Sequence, residues 1–383
     1  MPRYKWGNAV LVILSLVLSL VLAEIVCRLM LPPPGFIPRG IGEPAGLLRE
    51  HATRGFSYAL NFSGSMKTAD FSTEIRIGVN GFRDIPAPPA SDGRPIRRIL
   101  AVGDSMTFGW GVEAEESWPA RLQSHLNSGT NVAQLVSVTN AGISAYSLAQ
   151  ISILTKEVLA EQEVDMVILG LLPAVFGRIE DPYVLFNGLK VMQSSLPFLK
   201  PQGDGFLLTE MRRNSLKTLD FWLDEYFWFG SHLLKLSYRV LEFPKWGSSV
   251  EPVAEVQRRR QEQDEKRFQV FLLELESLAK FVKERQIPFV VLLTLTQDKD
   301  GTINERQRRY NAAVIEFCKE KQIEAVDLLP ILATQSGERP FFRFPKDAHW
   351  TAPAHDIAAR ELASYLRKNR SALGQYAGES VPK

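Results

Sequence analysis

The sequence predicts an α/β fold: a three-layer α/β/α sandwich around a mainly parallel sheet, preceded by an N-terminal membrane helix. Three observations carry this. From Arg97 to Arg367, apolar runs of strand length alternate with longer helical stretches, a pattern that gives parallel strands covered by helices on both faces. The runs themselves, such as Ile99–Val102 and Ile287–Leu293, are apolar almost throughout, as strands buried on both sides are. An apolar run from Ala9 to Ala23, broken only by Ser15 and Ser19, follows Arg3 and Lys5.

That N-terminal run is near the lower limit for a spanning helix, which needs roughly 17–25 residues. Adding Ile25 to Leu31 brings it into range. Basic residues before it and few after it put the N-terminus in the cytoplasm and the main domain outside. A cleaved signal peptide is the competing reading for segment 1–31, with Val21-Leu22-Ala23 as a small-residue cleavage site. Cys27 lacks the small preceding residue of a lipoprotein signal.

Pro32 to about Gly46 is rich in Pro and Gly and reads as a linker. From His51 to Arg83 short alternating segments, such as Phe71–Ile77, read as strands of an extended flap, with a turn at Asn80-Gly81. Pro86 to Pro95 is a second polar link. Residues 32–96 are therefore linker and flap, 97–370 the main domain, and 371–383 a flexible tail.

Within the main domain, strand Ile99–Val102 ends in Gly103-Asp104-Ser105. Helix Ala120–Leu126 follows, with Pro119 near its start as helices tolerate. Strand Leu135–Thr139 leads into Asn140-Ala141-Gly142, helix Leu148–Leu159 and strand Asp165–Gly170. The alternation then stops. An insertion at about 176–265 holds Phe221, Trp222, Tyr226, Phe227, Trp228, Phe229, Tyr238, Phe243 and Trp246, with amphipathic character over Leu219–Leu241. It reads as a cap burying its own rings, or as rings that line an acyl or sugar site or lie at the membrane interface. Helix Val270–Arg285, strand Ile287–Leu293, helix Asn304–Lys321, strand Ile323–Leu328 and helix Thr351–Arg367 complete the domain.

The net charge of +2 over 383 residues gives no reason to expect nucleic acid. Two cysteines, Cys27 and Cys318, offer no zinc spacing, and the five histidines lack ligand spacing, so no metal or other cofactor is expected. Cys318 reads as a core thiol.

Ser105 stands at the C-terminal end of a buried strand, where α/β sheets place ligands. It is a nucleophile if a base reaches it and a helix cap if none does. His349 alone among the histidines follows an aspartate at a two-residue spacing, in Asp347-Ala348-His349 just before the last helix. That spacing lets Asp347 orient His349 and His349 take the proton of Ser105. Taken alone, Asp-x-His is also a common surface pair.

Gly103-Asp104-Ser105, Asn140-Ala141-Gly142 and Asp347-Ala348-His349, in this order and at strand ends, resemble the blocks of the SGNH (GDSL-type) hydrolases. With Asn80-Gly81-Phe82-Arg83, the text is similar to membrane-anchored bacterial members of that superfamily. The resemblance implies a flavodoxin-like sheet, with Ser105 as nucleophile, His349 as base and Asp347 as its orienter. It implies an oxyanion hole made of the backbone N–H groups of Ser105 and Gly142; Gly142 as a mere turn glycine is the alternative. Asp104 would fix the turn. One block departs. Where the family carries an asparagine after the third strand, this chain reads Gly170-Leu171-Leu172-Pro173-Ala174, leaving Asn140 or Asn187 as substitute donors. The implied function is an extracytoplasmic serine esterase at a bacterial inner membrane, removing acyl groups, notably acetyl, from a carbohydrate or lipid. The alternatives are an O-acetyltransferase acting on a cell-surface or exported polysaccharide, and a non-catalytic glycan-binding or assembly protein on a decayed scaffold.

Overall fold

The structure, a computed structural model, describes residues 4–31, 44, 46–88, 93–128, 134–180, 183–186, 189–192, 198–202, 205–209, 223, 227–241, 253–335 and 342–369. The linker at 32–43, the tail at 371–383, Asn187 and much of the aromatic insertion lie outside these residues. The chain divides into two compact units. One comprises Met1–Pro38, Leu185–Lys190 and Arg212–Arg259; the other holds the remainder.

In the smaller unit, helix α1 spans Tyr4–Met30. Its segment Val10–Met30 is long and apolar enough to cross a membrane, and its large aliphatic side chains are exposed.

The larger unit opens with two antiparallel hairpins, β1 (Leu48–His51) with β2 (Gly55–Tyr58), and β3 (Ser63–Lys67) with β4 (Ser72–Arg76). Next come β5 (Ile96–Gly103), the short helix α2 (Ser105–Phe108), α3 (Trp118–Asn127), β6 (Leu135–Gly142), α4 (Leu148–Glu161) and β7 (Met166–Leu171). The insertion contributes strands β8 (Tyr183–Phe186), β9 (Leu189–Met192), β10 (Phe198–Gln202) and β11 (Gly205–Thr209), of which β10 and β11 pair antiparallel. Helix α5 (Trp228–Leu241) belongs to the smaller unit. Helix α6 (Val253–Lys283) leads to β12 (Phe289–Leu293), α7 (Glu305–Glu320), β13 (Glu324–Asp327), α8 (Leu329–Gln335) and α9 (Ala352–Lys368). Helix α6 begins 17 residues earlier than the apolar pattern suggests, at Val253 rather than Val270. Its first turns are charged and helix-favouring in sequence, and Arg258, Gln261 and Glu262 there are exposed.

Five strands form one wholly parallel sheet in the order β13-β12-β7-β5-β6. Every residue of β7 and β12 is buried, which is why those strands read as unbroken apolar runs. On one face Ile99, Ala101, Val138, Ile168 and Leu292 join Trp118 and Leu122 of α3, Leu332 of α8, and Ala358 and Leu362 of α9 in one core. Alternate residues point to the other face, where α4 packs against β5.

The outer edge of β6 is covered by side chains of α3. Asn127 donates to Val136 O and accepts from Val136 N, both at 2.8 Å, and Gln123 Oε1 accepts from Val138 N at 2.9 Å. Such cover removes an edge that would otherwise pair with another chain. Cys318 is buried, and burial pushes its thiol up to about 12; it is a core thiol, as its sequence context suggests.

Candidate active site

The reversal of strand order between β5 and β7 makes a crevice at the C-terminal ends of the strands, and Ser105 stands there. Asp104 caps α2, its carboxylate accepting from Met106 N at 3.0 Å. The turn-fixing role expected of Asp104 matches this contact. Ser105 is then the first residue of α2, and its amide donates no hydrogen bond among the described residues.

Helix α2 ends after one turn because Gly109 takes φ +83°, a conformation that costs glycine little. Arg83 fixes this turn from the flap side. Its guanidinium, 2% exposed, donates to Phe108 O at 2.8 Å, Gly109 O at 2.6 Å and Val112 O at 2.6 Å, and lies 4.6 Å from the centre of the Phe108 ring. Burial pushes Arg83 down to about 10, still fully charged at neutral pH. Three carbonyls that could not meet water are satisfied by one side chain. Arg83→Met leaves Val112 O without a donor among the described residues, and Phe108 O and Gly109 O with only the longer bonds from Asn140 Nδ2 and Val112 N, both at 3.3 Å. We expect it to lower the unfolding free energy by about 2–4 kcal/mol, read from urea denaturation of the protein in detergent. A loss below about 1 kcal/mol would show that the turn holds itself.

His349 reaches Ser105 from the other end of the domain. Its Nε2 lies 2.7 Å from Ser105 Oγ, and its Nδ1 lies 2.5 Å from Asp347 Oδ1. The same Asp347 oxygen accepts from the His349 amide at 2.9 Å, while Oδ2 accepts from Trp110 Nε1 at 3.1 Å. Burial raises the Asp347 carboxyl. The His349 ring and amide and the Trp110 indole outweigh that and hold it below the ordinary carboxylate range. The His349 side chain is 26% exposed, so the dyad opens to solvent.

The loop that carries Asp347 and His349 is pinned along its length. Lys346 N donates to Asp70 Oδ2 at 2.7 Å, Phe344 packs on Phe71 at 4.9 Å between ring centres, and Trp350 Nε1 donates to Leu295 O at 2.6 Å.

The other histidines go elsewhere. His51 contacts Arg54 at 2.8 Å, and His125 contacts Asp356 at 2.9 Å. His355 is 1% exposed and accepts from Trp118 N at 3.2 Å through Nδ1. Burial pushes its pKa down to about 3 from 6.5. The folded state therefore holds this ring neutral while the unfolded chain protonates it below pH 6.5. Stability is full above that pH and falls as the pH drops toward 3, by roughly 1 kcal/mol per unit. Urea midpoints between pH 7 and pH 5 should show this slope, and His355→Leu should flatten it.

The expectation for the Gly142 amide is corrected. That N–H donates to Asn140 Oδ1 at 3.1 Å. A Cβ at Gly142 would overlap the backbone of Thr107 and Phe108, so this glycine is needed for close approach of β6 to α2. Asn140 is likewise no substitute oxyanion donor: it is fully buried and its Nδ2 donates to Phe108 O at 3.3 Å.

The turn beyond Gly142 is built differently. Ile143 N donates to Gly103 O at 3.0 Å, Ser144 N donates to Tyr58 Oη at 2.9 Å, and Ala145 takes φ +64°. A non-glycine residue in that region is strained. The Ala145 amide donates no hydrogen bond among the described residues. Arg54 supports the same turn, donating to Tyr146 Oη at 3.1 Å and pairing with Glu157 at 2.9 Å. The flap thus holds both turns beside Ser105, a role that alternating short strands do not reveal in sequence.

Residues 295–381, which include Asp347 and His349, match the family described as ALGX: SGNH hydrolase-like domain, acetyltransferase AlgX. No curated protein matches the chain. Among solved structures, a lipolytic protein of the G-D-S-L family from Desulfitobacterium hafniense DCB-2 is 13% identical, with 70% of this chain and 98% of that chain covered and a TM-score of 0.38. TesA is 13% identical over 71% and 99%, with a TM-score of 0.40. A catalytic mutant of an acetylxylan esterase from Geobacillus stearothermophilus is 14% identical over 72% and 95%, with a TM-score of 0.39.

Proposed function

Starting from an SGNH hydrolase-like fold, we propose that this protein is a serine-dependent acyl-transfer enzyme that removes acetyl or similar acyl groups from a carbohydrate or lipid ester outside the cytoplasm. The single observation that carries the reading is the unbroken relay Ser105 Oγ to His349 Nε2 at 2.7 Å and His349 Nδ1 to Asp347 at 2.5 Å. These distances are those of a nucleophile, its base and the base's orienter.

Ser105 Oγ attacks the ester carbonyl as His349 Nε2 takes its proton. The oxyanion meets the Ser105 amide and, in place of Gly142, an amide of the 143–146 turn, for which Ala145 is the candidate. The imidazolium gives its proton to the departing alkoxide, leaving an acyl-enzyme. Water, deprotonated by His349, then releases the acid and restores Ser105. Asp347 stays ionised throughout and stabilises the imidazolium. Helix α1 would tether the enzyme to the bacterial inner membrane by a single span.

One observation favours a second reading, O-acetyl transfer to a polysaccharide hydroxyl: the family matched over residues 295–381 is described as an acetyltransferase. The chemistry is the same until the acyl-enzyme is formed. A sugar hydroxyl then replaces water. A fluorophosphonate should label the wild-type protein at Ser105, and absence of labelling on folded protein would overturn both readings. Incubation with an acetylated oligosaccharide and an unacetylated acceptor separates them: free acetate marks hydrolysis, and acetylated acceptor marks transfer.

A further inference from the structure

Helix α5 presents Leu233 and Leu236 to solvent, 54% and 56% exposed. With the half-buried Phe229 they share one face, at i, i+4 and i+7. Two adjacent exposed leucines need an explanation when they lie on one stripe.

The start of α5 is tied to α1. Glu24 accepts from Trp228 N at 3.1 Å and from Phe229 N at 2.9 Å. One carboxylate thus satisfies two orphan amides at the α5 N-terminus, where negative charge is favoured. Arg28, one turn further along α1, donates to Glu24 at 2.7 Å and lies 5.1 Å from the centre of the Trp228 ring.

The level of this junction can be read from α1. Between Lys5 and Glu24 the helix carries no charged residue. At ~1.5 Å per residue that interval rises about 28 Å, close to the ~30 Å hydrocarbon thickness of a bilayer. Glu24 and Arg28 then stand at the outer boundary, and α5 starts at that depth. A carboxylate in an otherwise apolar helix is costly in lipid. Here it is neutralised by Arg28 and by the two amides of α5.

We infer that helix α5 lies in the outer interface of the bilayer, docked to the membrane helix through Glu24, with Leu233 and Leu236 among the acyl chains. The occupant of this apolar face is lipid, because the face belongs to the same compact unit as the spanning helix and is fixed to that helix at the membrane boundary. The arrangement fits an interfacial amphipathic helix, which buries its apolar side a few ångströms below the headgroups. The inference rests on α1 remaining uncleaved, and it is independent of the acyl-transfer reading.

The test uses the full chain with Cys27→Ala and Cys318→Ala, reconstituted in vesicles of phosphatidylcholine and phosphatidylglycerol. An environment-sensitive fluorophore is placed singly through Leu233→Cys, Leu236→Cys, or, as an aqueous reference, Lys319→Cys, a position 69% exposed on the other unit. We expect the labels at 233 and 236 to be blue-shifted, quenched severalfold more by shallow spin-labelled lipid than the 319 label, and protected from aqueous iodide. Iodide quenching at 233 and 236 equal to that at 319, without lipid quenching, would overturn the inference. So would protection from both quenchers, which means that protein, such as a second copy of this chain, covers the face. Enzyme activity does not enter these readouts.

Discussion

Ser105→Ala is expected to reduce ester cleavage by at least ~10⁴-fold while leaving the fold unchanged. The hydroxyl bonds only to His349 Nε2 in the described contacts. The serine backbone, which accepts from Gly109 N and Trp110 N at 3.1 Å, survives the change. The near-ultraviolet dichroism and the denaturation midpoint should therefore match those of the wild type. His349→Ala should produce a similar loss, and the double variant should be little worse than either alone, because the two act as one unit. The measurement is kcat with an activated acetyl ester. More than about a tenth of wild-type kcat in Ser105→Ala would remove this residue from the chemistry.

Asp347→Asn carries the second large effect, a fall of about 10⁴-fold in kcat with KM nearly constant. Asp347 Oδ1 accepts both the ring Nδ1 and the amide of His349, and Oδ2 accepts Trp110 Nε1. An amide group offers only one acceptor oxygen. If it faces His349, the –NH2 group confronts the Trp110 donor. If it faces Trp110, the –NH2 donates to Nδ1, and Nε2 carries the proton that Ser105 should have delivered. Either arrangement also withdraws the negative charge that stabilises the imidazolium. A KM rise with kcat unchanged would mean instead that Asp347 binds substrate. Activity within about threefold of wild type would show that His349 is oriented by its loop alone.

The central sheet was legible because each buried strand is nearly continuous in apolar residues and each crossover carries a helical pattern. Ile99–Val102, Asp165–Gly170 and Ile287–Leu293 all fall on observed strands. Ser105, Asp347 and His349 were legible as a group because their spacing and chain order resemble a known set of blocks. What sequence did not disclose depends on side chains that return to the backbone. Nothing in Asn140-Ala141-Gly142 says that the asparagine oxygen takes the glycine amide. Arg83 reads as an ordinary basic residue after a turn, yet it is buried on three carbonyls. Ala145 gives no sign of its left-handed backbone, since alanine is not a residue that favours it. Glu24 reads as an interruption of the apolar run, and its use as a cap depends on a helix some 204 residues away.

The separation of Ser105 from His349 has a consequence for biosynthesis. The two side chains that meet at 2.7 Å stand 244 residues apart in the chain. The serine leaves the ribosome long before the histidine, and domains of this size gather native contacts progressively as they emerge. The loop bearing His349 runs directly into α9, whose buried residues Ala358, Leu362 and Leu366 share a core with α3. An incomplete chain therefore holds an unactivated serine, however well its first strands have paired. On the proposed acyl-transfer reading, reactivity arrives with α9, and a nascent or truncated copy is expected to be chemically silent toward esters.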